Sequence, residues 1–271
     1  MSDARARLSD DPLARSVVAW VLRLGLSCCF LGHGMLGVSK VAAWTSYFGV
    51  VGIGPDAASA LMPWVGVFDV AMAISVLVLP KRYMVLYMFL WAVWTALLRP
   101  LAGESFWEAV ERAGNYGVPF ALFLLMAPVG SLRAWFRGVF GPRARERVVH
   151  WTLRLTTGLL LFGHGMLNWA VMKPLFVHHY SLLGLPGLAA ERVVGVFECL
   201  LALAVVFKPD PRLLWGVALW KLATELLSPM AGSPFWVFIE HGGSYAAPLA
   251  LAFLVARTRL ADPMPTGHAV A

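Results

Sequence analysis

The sequence predicts an all-α polytopic membrane protein with eight transmembrane helices, arranged as two parallel-repeat four-helix bundles related by a pseudo-twofold axis along the membrane normal. Three observations predict this fold class: an apolar composition, eight apolar runs and an internal repeat. Hydrophobic residues make up 59% of the 271 residues and charged residues only 14%, against about 45–50% and 25% in soluble domains. With a mean hydropathy of +0.72, the chain has more apolar side chains than one soluble core can bury, which excludes an ordinary soluble enzyme.

The apolar runs are close to the length that a membrane-spanning helix needs, about 17–25 residues for a hydrocarbon core of about 30 Å. Polar or proline-marked breaks such as Pro80-Lys81-Arg82 separate them. Because further apolar runs follow along the chain, we expect the first run to be a span and not a signal peptide. The eight predicted spans cover residues 17–39, 61–79, 83–101, 116–136, 149–170, 190–207, 213–228 and 245–257.

Lysine and arginine are distributed unevenly over the two sides of the predicted membrane, with 14 on one side and 5 on the other. Since cytoplasmic loops carry the excess of these residues, we expect both termini to be cytoplasmic. The net charge of +7 then reflects topology, and we expect no nucleic-acid partner. The predicted organisation is a cytoplasmic N-terminal tail (1–15), a first four-helix repeat (16–137), a basic cytoplasmic linker (138–148), a second four-helix repeat (149–257) and a C-terminal tail (258–271).

The internal repeat is the strongest pattern in the sequence. Gly32-His33-Gly34-Met35-Leu36 recurs as Gly163-His164-Gly165-Met166-Leu167, and residues 62–122 align without a gap on residues 191–251, with 23 identities in 61 positions. Such a match indicates a duplication. Each half has four predicted spans, an even number, so both halves share one orientation in the membrane.

Ionisable residues inside the predicted spans are candidates for function, because a charge at the centre of a bilayer costs about 3 kcal/mol on insertion scales. At a rise of about 1.5 Å per residue, His164, Glu198 and Glu225 from three helices reach a similar depth in the outer half of the membrane. Lys221 lies one helical turn from Glu225 and is its natural partner. The second half therefore carries a buried layer of ionisable groups.

The first half keeps only part of this layer. His33 and Asp69 lie at a comparable depth, but alanine stands at both positions equivalent to Lys221 and Glu225. If only one half is active, we expect it to be the second. The groups either hydrogen-bond one another and set helix register, or handle protons and contact a quinone headgroup.

Metal binding is a further interpretation of the same residues. His164, Glu198 and Glu225 are ligand types that suit iron or zinc, and paired histidines suit haem. Since the sequence has no helical His/Glu ligand motif, we predict no metal site.

The connectors between the third and fourth spans of each half, 103–114 and 232–243, each carry Phe-Trp and a glutamate. Their tryptophans are typical of the aromatic belt at a membrane surface. Alternatively, these segments cap the buried layer and form an outward-facing mouth. In that case the candidate cofactor-binding residues are Glu111, Tyr116, Glu240 and Tyr245.

These repeated motifs resemble the DoxX-like family of four-helix membrane proteins. In each half the first helix opens with Arg-Leu and has His-Gly near its far end, the second carries Val-Gly-Val-Phe and an acid, and the fourth opens with a tyrosine. The resemblance covers nearly all of both halves and implies two fused copies. The sequence differs from the family pattern at two places in each half. Lys40 and Lys173 lie farther after the histidine than the family's lysine does, and Gly117 and Ala246 stand after the tyrosine where the family has a glutamate.

The resemblance implies a membrane subunit associated with quinone-linked redox chemistry, with quinone as its cofactor and a soluble or membrane redox subunit as its partner. It also implies a place in the bilayer of a bacterial cytoplasmic (inner) membrane. Whether the chain is itself catalytic stays open. The alternatives are a small-solute or ion transporter or channel, and a non-catalytic membrane scaffold for a partner enzyme. The candidate catalytic residues are His164, Glu198, Glu225, Lys221, His33 and Asp69.

Overall fold

A computed structural model describes residues 12–126, 142–184 and 187–261, and in these ranges it is helical without a β-strand. The all-α prediction is therefore confirmed. Within the described ranges four helices are long and apolar enough to cross a membrane, and they correspond to the first, second, third and eighth predicted spans. They are Val17–Val38, Pro55–Val78, Arg82–Leu101 and Phe235–Arg257.

We call residues 12–126 the first half and residues 142–261 the second half. In the first half the α-helices are α1 (Pro12–Val38), α2 (Thr45–Val50), α3 (Pro55–Val78), α4 (Arg82–Leu101), α5 (Phe106–Glu111) and α6 (Ala113–Leu125). In the second half they are α7 (Pro142–Met166), α8 (Pro174–Ser181), α9 (Leu188–Phe207), α10 (Pro211–Met230), α11 (Phe235–Glu240) and α12 (Gly242–Ala261). A 3₁₀ turn at Ala42–Trp44 precedes α2, and a π-helical turn at Leu167–Val171 follows α7.

The helix ends differ from the predicted boundaries at several places. α1 begins at Pro12, within the predicted N-terminal tail, and α7 begins at Pro142, within the predicted linker. α12 continues to Ala261, beyond the predicted end of the last span. The rest of the tails, the first part of the linker and the end of the fourth predicted span lie outside the described residues.

The central bundle consists of α1, α6, α7 and α12, the first and last long helices of each half, which pack on one another. Its core contains fully buried leucines such as Leu22, Leu153 and Leu251, together with small residues such as Ala121 and Ala247. Small side chains let helix backbones approach closely, and close packing is what holds helices together in lipid. The two halves thus share one core.

The remaining long helices flank the bundle. α3 packs on α1 and α4 on α6, while α9 packs on α7 and α10 on α12. The apolar stretches of α3 and α4 are only 28% and 22% buried, against 56% and 61% in the central helices α1 and α12. Large apolar side chains on the flanking helices, such as Trp64, Val78 and Phe207, are about three-quarters exposed. This outward apolar surface suits contact with lipid.

Glycine contacts bring each flanking helix close to its central helix. A Cβ on Gly34 of α1 would lie 2.7 Å from the carbonyl oxygen of Gly66 on α3, and a Cβ on Gly165 of α7 would lie 2.7 Å from that of Gly195 on α9. Only glycine permits this approach. The second glycine of each Gly-His-Gly motif is therefore needed for the packing of α1 on α3 and of α7 on α9.

The first glycine of each motif packs on a connector of the other half. A Cβ on Gly32 would collide with the backbone of Glu240 on α11, and a Cβ on Gly163 would collide with the backbone of Glu111 on α5. Each histidine is thus held between a helix of its own half and a connector of the other half. This crossed packing places ionisable residues of both halves beside one another.

Candidate functional site

Each histidine of the repeated motif lies within hydrogen-bond distance of the acid that follows the glycine contact on the neighbouring helix. His33 Nδ1 lies 2.7 Å from Asp69 Oδ2, and His164 Nδ1 lies 2.6 Å from Glu198 Oε2. Each acid comes three residues after Gly66 or Gly195, about one helical turn, and so lies on the same face of the helix. A carboxylate at Nδ1 orients the imidazole and leaves Nε2 to contact other groups.

In the second half, further polar groups occupy the space around this pair. Trp220 Nε1 donates a hydrogen bond of 2.9 Å to Glu198 Oε1, and Asn168 Nδ2 donates one of 3.1 Å to Glu198 Oε2. Lys221 Nζ lies 4.0 Å from Glu198 Oε1 and 2.8 Å from Glu225 Oε1. The Lys221 side chain is only 1% exposed. The structure therefore brings the four candidate residues of this half into one closed cluster.

Asn168 lies in the π-helical turn that follows α7, and sequence analysis did not single it out. Tyr180 on α8 donates a hydrogen bond of 3.1 Å to Asn168 Oδ1. Burial raises the pKa of Tyr180 above its ordinary value, so its hydroxyl stays a donor. A π-turn often marks a functional site. One feature of the sequence does point to Asn168: its amide is a polar group within a predicted span, and such a group is costly there without hydrogen-bond partners.

In the first half, the equivalent space holds a cavity of about 230 Å³. Ala92, the counterpart of Lys221, is one of the residues that line it. Aromatic and aliphatic side chains form most of the wall. Its polar and charged side chains are those of His33, Tyr47, Thr95, Arg99, Arg112, Asn115 and Glu240.

Two buried polar atoms near the His33–Asp69 pair lack hydrogen-bond partners among the described residues. They are Nε1 of Trp91, a residue that lines the cavity, and Oδ1 of Asp69, which pairs with His33 through its other oxygen. Their counterparts Trp220 and Glu198 bond each other in the second half. Because aspartate is one methylene shorter than glutamate, Asp69 does not reach Trp91 as Glu198 reaches Trp220. The N–H of Trp91 is therefore an unpaired donor on a residue that lines the cavity, and an acceptor on a ligand would satisfy it.

His33 is further oriented by the connector that follows α1. Its ring stacks on Trp44 at 4.5 Å between centroids with an interplanar angle of 29°. The His33 side chain is 19% exposed, against 6% for His164. The first-half histidine is thus the more accessible of the two.

The connector glutamates are buried between the two halves. Arg112 Nη1 lies 2.9 Å from Glu240 Oε1, and both side chains are largely buried. Glu111, the counterpart of Glu240, lies with Glu225 and His241, and His241 Nδ1 pairs with Glu225 Oε2. The candidates Glu111 and Glu240 therefore belong to the buried layer.

The two candidate tyrosines contact the backbone of their own connectors. Tyr116 donates a hydrogen bond of 3.3 Å to the carbonyl oxygen of Ala109, and Tyr245 donates one of 2.9 Å to that of Phe238. Neither tyrosine is among the residues that line the cavity. Both hold a short connector helix against the following long helix.

A second polar cluster joins the connectors next to the cavity. Arg99 Nη1 lies 3.0 Å from Glu104 Oε2 and 3.5 Å from Glu108 Oε2. Lys173 of the second half pairs with Glu108, and Tyr47 donates a hydrogen bond to Glu104. Burial is the main cause that raises the pKa of Tyr47 to about 12. Burial alone would raise the pKa of Glu104, but the bond from Tyr47 and the charge of Arg99 hold it below its ordinary value.

Comparison of the chain with protein-family models, with curated proteins and with solved structures finds no match. The DoxX-like resemblance therefore stays a prediction from the sequence motifs.

Proposed function

We propose that this chain is an integral membrane protein with eight spans, built from two DoxX-like repeats, and that it binds a quinone headgroup in the first-half cavity. The four apolar helices and the outward apolar side chains support the membrane assignment. The repeated His–carboxylate pairs support the two repeats. Gly114 and Gly243 are equivalent in sequence and contact each other, as residues next to a pseudo-twofold axis would.

The observation that carries the proposal is the difference between equivalent positions. Where the second half places Lys221 against Glu225 and Glu198, the first half has a cavity lined by Ala92 and by His33, the partner of Asp69. The same scaffold is filled in one half and open in the other. We therefore infer that the ligand site belongs to the first half, although sequence analysis favours the second.

A quinone headgroup fits the chemistry of this cavity. At about 230 Å³ the cavity is smaller than the 300–1,000 Å³ or so of sites for drug-sized ligands, so it suits a single ring with small substituents. The ring would lie among aromatic side chains, with one quinone oxygen able to accept a hydrogen bond from Trp91 Nε1. A quinone, when bound, supplies reversible two-electron, two-proton redox chemistry.

The residues of this chain would hold the ring and manage its protons. The His33–Asp69 pair has a proton between two heteroatoms 2.7 Å apart, and the stacked Trp44 keeps the imidazole in place. The two arginines of the wall are each paired with glutamate, Arg112 with Glu240 and Arg99 with Glu104 and Glu108. The electrons would pass to or from a redox partner subunit, as the family resemblance implies. We further propose that the chain resides in a bacterial cytoplasmic membrane with both termini in the cytoplasm.

Quinone retention by the purified full-length chain tests this function. The chain is purified in mild detergent, extracted with organic solvent and analysed for quinone by mass spectrometry, alongside Thr95→Phe and Thr224→Phe. These two threonines are equivalent, and each hydroxyl donates to the carbonyl three residues earlier, but only Thr95 lines the cavity. We expect near-stoichiometric quinone in the wild type and in Thr224→Phe, and a loss of more than about tenfold in Thr95→Phe.

Two outcomes contradict the proposal. Wild-type protein that neither retains quinone nor binds an added short-chain quinone has no such site. If quinone is lost equally from both variants, the first-half cavity is not where it binds. In either case, solute flux into proteoliposomes would become the leading test, because transport is the principal alternative.

A further inference from the structure

We propose that Glu111, Glu225 and His241 form a binding site for one divalent first-row transition metal ion, separate from the quinone cavity. The three residues come from the end of α5, the last third of α10 and the junction of α11 and α12. Glu111 belongs to the first half and the other two to the second, so the fold assembles the site across the two halves. The proposal does not depend on the proposed quinone function.

The ligand atoms are close enough for one ion. A nitrogen of His241 and one carboxylate oxygen from each glutamate all lie within 4.8 Å of one another. Ligands of zinc lie about 2.0–2.2 Å from the ion, so they are about 3–4 Å from each other. Small side-chain rotations would close the remaining distance. One imidazole and two carboxylates form a donor set that suits zinc, iron or manganese.

A second observation is the state of His241. Its Nδ1 pairs with Glu225 Oε2, while its Nε2 is buried and has no hydrogen-bond partner in the part of the chain that the structure describes. A buried imidazole nitrogen without a partner is costly. The ring is thus held beside two carboxylates, and one of its two nitrogens has no partner among the described residues.

The charges around the site also favour a dication. Three carboxylates lie in this layer, Glu111, Glu198 and Glu225, and one ammonium group, Lys221, is within 4.0 Å of two of them. Arg112 is already paired with Glu240. Two negative charges are left, which either protonated histidines or one divalent ion would neutralise. Buried charges that are not neutralised are too costly to persist in an apolar protein interior.

Sequence analysis grouped Glu225 with His164 and Glu198 and predicted no metal site. In the structure, Glu225 turns towards the connectors, where Glu111 and His241 lie, and His164 pairs with Glu198 instead. Glu111 and His241 are 130 residues apart in sequence, so no local motif could reveal the set.

Metal titration of the intact, tag-free protein tests the site. The full-length chain in detergent is stripped of metal with a chelator and divided into two samples. One sample is dialysed against Zn²⁺ to count bound ions per chain. The other is titrated with Co²⁺, whose visible absorption reports its coordination and affinity. We expect one ion per chain, bound more than about tenfold more weakly by Glu225→Gln and by His241→Gln. Glu108→Gln is the matched control. Glu108 lies one turn before Glu111 on α5 but pairs with Arg99 and Lys173, so this variant should bind as the wild type does.

Lys221→Met separates the loss of a ligand from the loss of the fold, because a destabilised chain cannot bind an ion more tightly than the wild type does. The Lys221 ammonium competes with an ion for Glu225, so its removal should tighten ion binding by about tenfold or more. If protons neutralise the layer instead, wild type and Lys221→Met will both fail to bind either ion. That result, or binding that Glu225→Gln and His241→Gln leave unchanged, would overturn the site while leaving the quinone proposal intact.

Discussion

The two halves of this protein use the same scaffold for different interiors. Both have a Gly-His-Gly helix that touches its neighbour through glycines and a histidine paired with an acid. At the positions equivalent to Lys221 and Glu225 the first half has Ala92 and Ala96. The second half consequently has a closed ionic cluster, and the first half has a cavity.

The comparison teaches that backbone packing and site chemistry are separable in this fold. Glycine contacts hold the helices in place, and a few side chains then decide whether the space between them is filled. Even one methylene matters, because Glu198 reaches Trp220 whereas Asp69 leaves Trp91 unpaired. The four predictions below test that separation.

The largest effect is expected from breaking the ionic cluster of the second half. Lys221→Met leaves Glu225 and Glu198 buried without their ammonium partner, and removal of one member of a buried pair costs about 3–5 kcal/mol. The double variant Lys221→Ala/Glu225→Ala reproduces the first half and should lose clearly less. Unfolding of the detergent-solubilised chain measures both. Equal losses in the single and double variants would show that the pair is not energetically coupled.

The shared scaffold predicts equal effects at equivalent glycines. Gly34→Ala and Gly165→Ala each place a methyl group 2.7 Å from a carbonyl oxygen of the neighbouring helix, and overpacking of this kind costs about 1–3 kcal/mol. Gly216→Ala is the control, since no atom lies within 4 Å of its new Cβ and alanine favours a helix. In thermal denaturation, the midpoint of Gly216→Ala should equal or exceed that of the wild type, and the midpoints of Gly34→Ala and Gly165→Ala should be lower by similar amounts. A loss confined to one half would mean that the halves do not pack alike.

A smaller effect is expected where the second half has an additional hydrogen bond. Tyr180→Phe removes the donor to Asn168 Oδ1, which should cost about 1 kcal/mol. Because Asn168 also holds Glu198, the double variant with Asn168→Ala should lose less than the sum of the single losses. If the loss of the double variant equals the sum of the two single losses, Tyr180 does not support the Glu198 cluster through Asn168.

The smallest effect concerns pH and the connector cluster. The pKa of Glu104 in the folded chain lies below its ordinary value of 4.5. Its contribution to stability is therefore fully present above about pH 4.5 and is lost as the pH falls through the lowered value. Glu104 is partly exposed, so the contribution is about 0.5–1 kcal/mol. Glu104→Gln should be slightly less stable than wild type at pH 7, and this difference should shrink in acid. A difference that is constant with pH would exclude Glu104 as its source.

Much of the fold could be predicted from the sequence, because apolar runs and repeats are local signals. A stretch such as 55–78 is apolar enough to predict its helix whatever it packs on. Depth along a helix also follows from residue number, which is why His164 and Glu198 were expected at one level, and they lie 2.6 Å apart. The sequence by itself thus determined the helical class, the repeat and the residues that interrupt the apolar runs.

Only the tertiary structure decided which residues meet across the halves. Gly32 packs on Glu240, Arg112 pairs with Glu240, and Glu111 joins His241, because connectors of one half lie on the central helix of the other. Such contacts depend on how whole helices pack, and no periodicity within one helix encodes them. The same holds for the cavity, since Ala92 marks an open space only once the helices around it are in place.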